Sequence, residues 1–246
     1  MSAVRVAVGT LGELLVTAGV LVLLFLAWQL WWTDVVAERA QERTTTALLE
    51  SWDAGAPAAP EPAGPAPAPG PPAALQDLPA EALAVLRVPA FGDGWVRPVI
   101  EGTGTEVLQQ GVGHYTDAAM PGEVGNFAVA GHRTTYGAPF GPIADLVEGD
   151  PVVVETPTAF HVYRVTGSQV VRPRDVEVIA PVPDRPGETP TEAWLTMTSC
   201  HPMFSARERY VVHALLESST PRRDGPPAVL AAAGTGTAAG TQTGAG

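Results

Sequence analysis

The 246-residue chain contains no lysine, so all 14 of its basic residues are arginine. That excludes Schiff-base chemistry, a lysine general base and Lys–Asn isopeptide cross-links. It also leaves the folded chain no side-chain amine to offer an acyl donor. Cysteine is nearly absent, Cys200 being the only one. An intramolecular disulfide is therefore impossible, and cysteine usage says nothing about redox compartment. A structural zinc site built from the cysteines of one chain is ruled out. Positive charge is scarce too: a net charge of −12 argues against nucleic acid as a partner, because phosphate binding needs clustered cations.

What is present comes in segments. Residues 14–32 are apolar apart from Thr17 and Gln29. As a helix they would span about 28 Å, close to the hydrocarbon thickness of a bilayer. Trp28, Trp31 and Trp32 stand at the C-terminal end of this run, as an interfacial aromatic belt does. A cleaved signal peptide has a shorter apolar run and small residues where these tryptophans are, so the segment is predicted to be an uncleaved anchor. Arg5 precedes it; Arg39 and Arg43 follow among Asp34, Glu38 and Glu42. The flanking charges say little about orientation. The large domain after a single early span favours residues 1–13 in the cytoplasm and the rest outside the cell. Residues 33–53 have helix-friendly composition and continue outward as a juxtamembrane segment. Residues 54–82 are rich in Ala, Pro and Gly, a polyproline-like linker that could serve as a stalk or be passively disordered. Residues 218–246 form a Gly/Ala/Thr-rich tail expected to be disordered.

Between linker and tail lies one domain, residues 83–217, long enough to bury a substantial core. Short strands are predicted near residues 84–88, 95–100, 126–130, 151–155, 160–165, 194–199 and 210–216, separated by Gly/Pro turns. A helical turn near 106–111 is the main exception. This pattern indicates an all-β domain, a closed or nearly closed barrel. Residues 172–191, rich in Pro, Asp and Glu, make a long excursion without strand pattern, and such loops often carry function.

Cys200 falls where the strand from Trp194 ends, before the turn at Pro202. A lone cysteine is commonly a small buried hydrophobe. Here its neighbours Thr196, Thr198 and Ser199 are polar, and arginines return across a plausible hairpin at Arg207 and Arg209. A free thiol titrates near 8.5 and is only a few per cent thiolate at neutral pH, so a nucleophilic cysteine needs a proton-trading neighbour, most often histidine. Five histidines compete. His161 and His213 fall within strands, His114 in a loop, and His201 beside Cys200 but pointing away from it. His132 lies just past the end of the strand at 126–130, before the polar turn Arg133-Thr-Thr-Tyr136. Acyl transfer also needs a cation or donor for the developing oxyanion; Arg209 and Arg207 are both placed for it.

Thr196-Met-Thr-Ser-Cys200, followed by a strand opening with Arg209, resembles the active-site signature of sortases, Thr-Leu-x-Thr-Cys with an arginine leading the last strand. Pro121-Gly-Glu-Val-Gly-Asn-Phe-Ala-Val-Ala-Gly-His132-Arg resembles the sortase histidine segment. Met197 and Ser199 stand where Leu and Thr are commoner. The segments Gly113-His-Tyr115 and Ala130-Gly-His132-Arg-Thr-Thr-Tyr are most similar to class E sortases of high-GC Gram-positive bacteria. The resemblance implies an eight-stranded sortase-type barrel with short helices, and a membrane-anchored cysteine transpeptidase without metal or organic cofactor. It implies Cys200 as nucleophile, His132 as proton carrier and Arg209 at the substrate carbonyl, with Tyr115, Thr198 and Ser199 binding substrate. It further implies secreted proteins with a Leu-Ala-x-Thr-Gly-type sorting signal as substrates and a peptidoglycan-precursor amine as acceptor. A pilin-polymerising sortase, with a pilus-subunit lysine as acceptor, and a non-enzymatic membrane-tethered β-domain are the competing readings.

Overall fold

A computed structural model describes residues 2–55, 82–92 and 94–233. Most of the predicted linker and the end of the tail lie outside these residues. The chain begins with one long helix, α1 (Ser2–Gly55). The strands follow as β1 (Ala82–Arg87), β2 (Val96–Glu101), β3 (Val112–His114), β4 (Gly125–Ala130), β5 (Pro151–Glu155), β6 (Ala159–Val171), β7 (Ala193–His201) and β8 (Glu208–Pro221). Short helices α2 (Thr105–Gln110) and α3 (Ala228–Ala233) complete it. The strands close into a barrel in the order β1-β2-β3-β4-β7-β8-β6-β5. Pairs β2/β3 and β4/β7 are parallel and the others antiparallel.

Alternation along the strands decides which side chains enter the barrel. In β4 it is Phe127 and Val129, in β7 Leu195 and Met197, in β8 Val212 and Ala214, all at most 1% exposed. The intervening residues of β4 and β7 face outward. Tyr163 is buried among the core residues, and its hydroxyl accepts a 2.7 Å hydrogen bond from Gly122 N. Burial pushes its pKa up to about 12. Gly122 has φ 81°, and a Cβ there would lie 2.3 Å from the His161 ring, so only glycine fits this turn.

Several expected boundaries move. The apolar window of α1 is Ala7–Leu26, earlier than residues 14–32, because the helix runs unbroken through both and the tryptophans sit beyond its most apolar part. His114, read as a loop residue, is 1% exposed in the short strand β3, with Nδ1 2.8 Å from Glu101 and its ring stacked on Phe127. Residues 218–233 are not a free tail. Strand β8 continues to Pro221 against β6, and α3 sets Val229 and Leu230 on Val153, Phe160 and Val162. Glu155, 2% exposed, is held between Arg87 (2.8 Å) and Arg222 (2.9 Å), and Arg222 also reaches Asp53 of α1.

The juxtamembrane half of α1 is docked on the barrel. Ala37, Gln41, Thr45 and Leu48 recur at helical spacing and are buried. Asp34 accepts from Gly137 N, Gln41 donates to the Tyr136 carbonyl at 2.9 Å, and Glu38 lies 3.6 Å from Arg97. The helix thus reaches the domain before the linker begins, so linker length does not set the barrel's distance from α1.

Candidate active site

The parallel β4/β7 pair and the antiparallel β7/β8 pair bring three sequence-distant residues to one end of the barrel. Ala130 of β4 pairs with Thr198 of β7, and Gly131 N extends the ladder to Thr198 O at 3.1 Å. His132 follows immediately, as Cys200 follows Thr198 by the same step. Adjacent strands run about 4.8 Å apart, so this register sets both residues at one strand end. Across the other edge of β7, Cys200 is directly paired with Arg209. Opposed residues in an antiparallel pair share a face, with Cβ atoms about 5 Å apart. Outward alternation through Thr196, Thr198 and Cys200 puts the thiol on the barrel's outer face, at the end of a row in which Ala128 lies opposite Thr196 and Ala130 opposite Thr198.

His132 is half-buried, and its Nε2 is a buried atom with no hydrogen-bond partner among the described residues. Its ring lies 5.1 Å from that of Tyr136. Burial holds its pKa below the ordinary histidine range, so the neutral imidazole is favoured at neutral pH. Arg209 spends Nη1 on the carbonyls of Ala206 and Glu208, each 3.0 Å away, which folds the guanidinium onto the β7/β8 turn. No carboxylate among the described residues neutralises it. Arg207 precedes β8 and is exposed, its backbone N bonded to Ser205, so the strand begins too late to aim it as Arg209 is aimed.

Tyr115 and Thr198 meet on the outer face. The Tyr115 hydroxyl is 3.1 Å from Thr198 Oγ1, which itself donates to Val129 O. Tyr115 N also bonds Ala128 O at 3.0 Å, so the ring stands on the edge of the β4/β7 surface. Ser199 is not with them. Alternation turns it to the opposite face, where it is 3% exposed and donates to Gly131 O at 2.8 Å. The expectation that Ser199 touches substrate is corrected on this ground: it secures the turn before His132.

Two groups of polar residues escaped sequence reasoning. Arg133, 7% exposed, donates Nη1 to His201 Nδ1 at 2.8 Å and lies over the Tyr210 ring, tying the turn after β4 to the β7/β8 hairpin. Farther along the same strands, Asn126 donates to the Ala180 carbonyl, Thr196 donates to Asn126 Oδ1, and His213 Nδ1 lies 2.9 Å from Thr196 Oγ1. Gln169 then reaches both His213 Nε2 and Asp184 Oδ2. This chain fastens the 172–191 excursion over β4, β7 and β8. Burial lowers the pKa of His213, partly offset by Asp184. The one sequence signal was Asn126, a polar residue in the otherwise apolar strand β4.

A closed eight-stranded barrel with a cysteine, a histidine and an arginine gathered at adjoining strand ends defines a β-barrel cysteine enzyme. A family model described as the sortase domain matches residues 86–217. The chain belongs to the sortase family, whose members are cysteine transpeptidases. Sortase SrtE2 of Streptomyces coelicolor is 38% identical over 217 residues, covering 84% of this chain and 80% of that protein. Sortase SrtE1 of the same organism is 36% identical over 233 residues; they cover 92% of this chain but only 61% of that relative's length. The solved structure of sortase E from Streptomyces avermitilis is similar at 45% identity and a TM-score of 0.56, covering 61% of this chain and 97% of that one. These similarities are consistent with class E.

Proposed function

We propose that this chain is a membrane-anchored transpeptidase that cleaves a Leu-Ala-x-Thr-Gly-type sorting signal between Thr and Gly and passes the acyl group to a cell-wall amine. The observation that carries this reading is the register that opposes Cys200 to Arg209 and sets His132 at the same strand end. The Cys200 thiol gives its proton to His132 and attacks the Thr carbonyl carbon. Arg209 faces the oxyanion of the tetrahedral intermediate. As the C–N bond breaks, His132 returns the proton to the leaving glycine amine, and a thioester remains on Cys200. The incoming amine attacks the thioester, His132 takes its proton, and collapse releases the new amide and restores the thiol. Every step is acid–base and covalent chemistry of these side chains, so the cycle calls for neither metal nor organic cofactor. The apolar helix anchors the enzyme, with residues 1–13 inside the cell and the barrel outside. The experiment is mass spectrometry of the protein after incubation with a Leu-Ala-x-Thr-Gly peptide. An acyl adduct on Cys200, caught before the acceptor amine is added and absent in Cys200→Ala, is expected; cleavage of the peptide by Cys200→Ala would sink the thioester route.

Tyr115 is the proposed selector of the signal's second residue. Its ring stands at the edge of the outer β4/β7 face on which the signal would lie, and its hydroxyl can accept from the backbone N–H of alanine, which proline lacks. One such mismatch is worth about 1–3 kcal/mol, roughly ten- to a hundredfold in preference. We expect kcat/KM to favour the Ala over the Pro peptide in the wild type and this ratio to collapse in Tyr115→Ala; an unchanged ratio would move the selector to the 172–191 loop.

A further inference from the structure

The direction of α1 across the barrel decides which end of the domain faces the apolar window. β4 and β7 both end, and β2 and β8 both begin, at the end that carries Cys200. The first contacts of α1 after its apolar window are at this end: Asp34 with Gly137, and Glu38 with Arg97 near the start of β2. Its last is at the far end, where Asp53 meets Arg222 just beyond β8. The helix therefore enters at the Cys200 end and runs down the barrel wall. With a rise of about 1.5 Å per residue, Asp34 stands only about 12 Å beyond Leu26, the end of the apolar window.

The surface at that end has the matching chemistry. The β7/β8 loop carries Met203, 49% exposed, and Phe204, 87% exposed and held at φ 62°. Val147, on the loop entering β5, is 63% exposed at the same end. Arg207, exposed and without a carboxylate partner among the described residues, follows Phe204 in the same loop. An exposed aromatic with a cation in the same loop suits the headgroup layer, where rings enter the interface and arginine meets lipid phosphate.

We propose that the Cys200 end of the barrel rests on the membrane surface, with Met203 and Phe204 in the headgroup layer of an anionic lipid bilayer. This rests on the reading of residues 7–26 as a membrane anchor. It brings the thiol within reach of substrates that are themselves held at the lipid surface, rather than projecting it toward the wall on an extended linker.

The test places a single spin label on the full chain in nanodiscs of phosphatidylcholine and phosphatidylglycerol, on a Cys200→Ala background. The labelled variants are Leu21→Cys in the apolar window, Phe204→Cys, and Met120→Cys in the β3–β4 connection, at the barrel's far end. Collision with oxygen and with a water-soluble nickel chelate is read for each. The expected result is a lipid-type oxygen-to-nickel ratio at 21, a ratio at 204 several-fold above that at 120, and an aqueous ratio at 120. An aqueous ratio at both 204 and 120, with 21 in lipid, would overturn the proposal and leave the anchor intact. An aqueous ratio at 21 would remove the anchor and the proposal with it. Low collision with both reagents at 204, together with dipolar broadening between labels, would assign Phe204 to a second copy of the chain and likewise overturn it.

Discussion

Two stretches of the same three strands, only a few residues apart, are built on opposite plans. In the middle of the sheet, His213 pairs across β7/β8 with Thr196, and every polar group in that cluster has a partner: Asn126, Gln169, Asp184 and the Ala180 carbonyl close the chain. At the strand ends, among the described residues, His132 Nε2 is buried and unpartnered, and Arg209 has only the carbonyls of its own turn. Buried polar groups are nearly always satisfied, and leaving one open costs stability. The satisfied cluster fastens a loop. The open one, on the proposed reading, leaves donors and acceptors for the substrate.

If that contrast is right, substitutions at the strand ends remove activity and spare stability, and substitutions in the middle do the reverse. The largest effect is expected from Cys200→Ala: transpeptidation and hydrolysis fall to background with an unchanged melting curve, since no second thiol exists to substitute. Residual acyl transfer in that variant would exclude the covalent route. Next, His132→Ala should lower kcat/KM by about 10²–10⁴, the usual worth of a placed acid–base group. His201→Ala should chiefly lower stability, because Nδ1 of His201 is the acceptor for Arg133. Equal activity losses in the two would dissolve the assignment.

Arg209→Lys should cost about ten- to a hundredfold in kcat/KM, a point charge being a poor replacement for a planar fork. Arg207→Lys should be mild, and reversed effects would exchange the two roles. In the closed cluster, His213→Ala should cost about 1–3 kcal/mol in denaturant unfolding, because it strips partners from buried Thr196. Its kcat/KM on a short peptide should change far less than that of His132→Ala; the opposite pattern would break the contrast.

The smallest expected effect is on pH dependence. Burial lowers the pKa of His132, His161 and His213 below the ordinary value of 6.5. The unfolded chain therefore takes up protons before the folded one does. The stability these groups contribute is complete above pH 6.5 and is lost as the pH falls through their lowered folded values. The urea midpoint should be lower at about pH 5.5 than at about pH 7.5, and His213→Gln should reduce the difference. A midpoint that rises on acidification would contradict the sign.

The local elements were legible because strand period and turn residues are local signals: β4, β5 and β7 fall within a residue or two of their expected limits. Cys200, His132 and Arg209 could be named from motif resemblance, and the register brings them to one end. Ser199 was misjudged because adjacency in sequence is not adjacency on a pleated strand, where the next residue points the other way. Strand β3 was missed because Val112-Gly-His114 is too short for a period to show. Arg133 looked like any polar turn residue; only the fold supplies His201 and Tyr210 around it.

By itself, the sequence determined the chemistry that is available: one thiol, no lysine, a long apolar helix and a domain of short strands. It could do so because composition and periodicity belong to the chain and need no partner. The tertiary structure alone decided which side of each strand meets which neighbour, that the polar half of α1 docks on the barrel through a stripe that includes Gln41 and Thr45, and that the helix enters at the Cys200 end. Those outcomes rest on contacts between residues as far apart as Asp34 and Gly137, or Asp53 and Arg222. Such pairs leave no periodic trace, since their energy comes from closing the barrel and burying the helix against it.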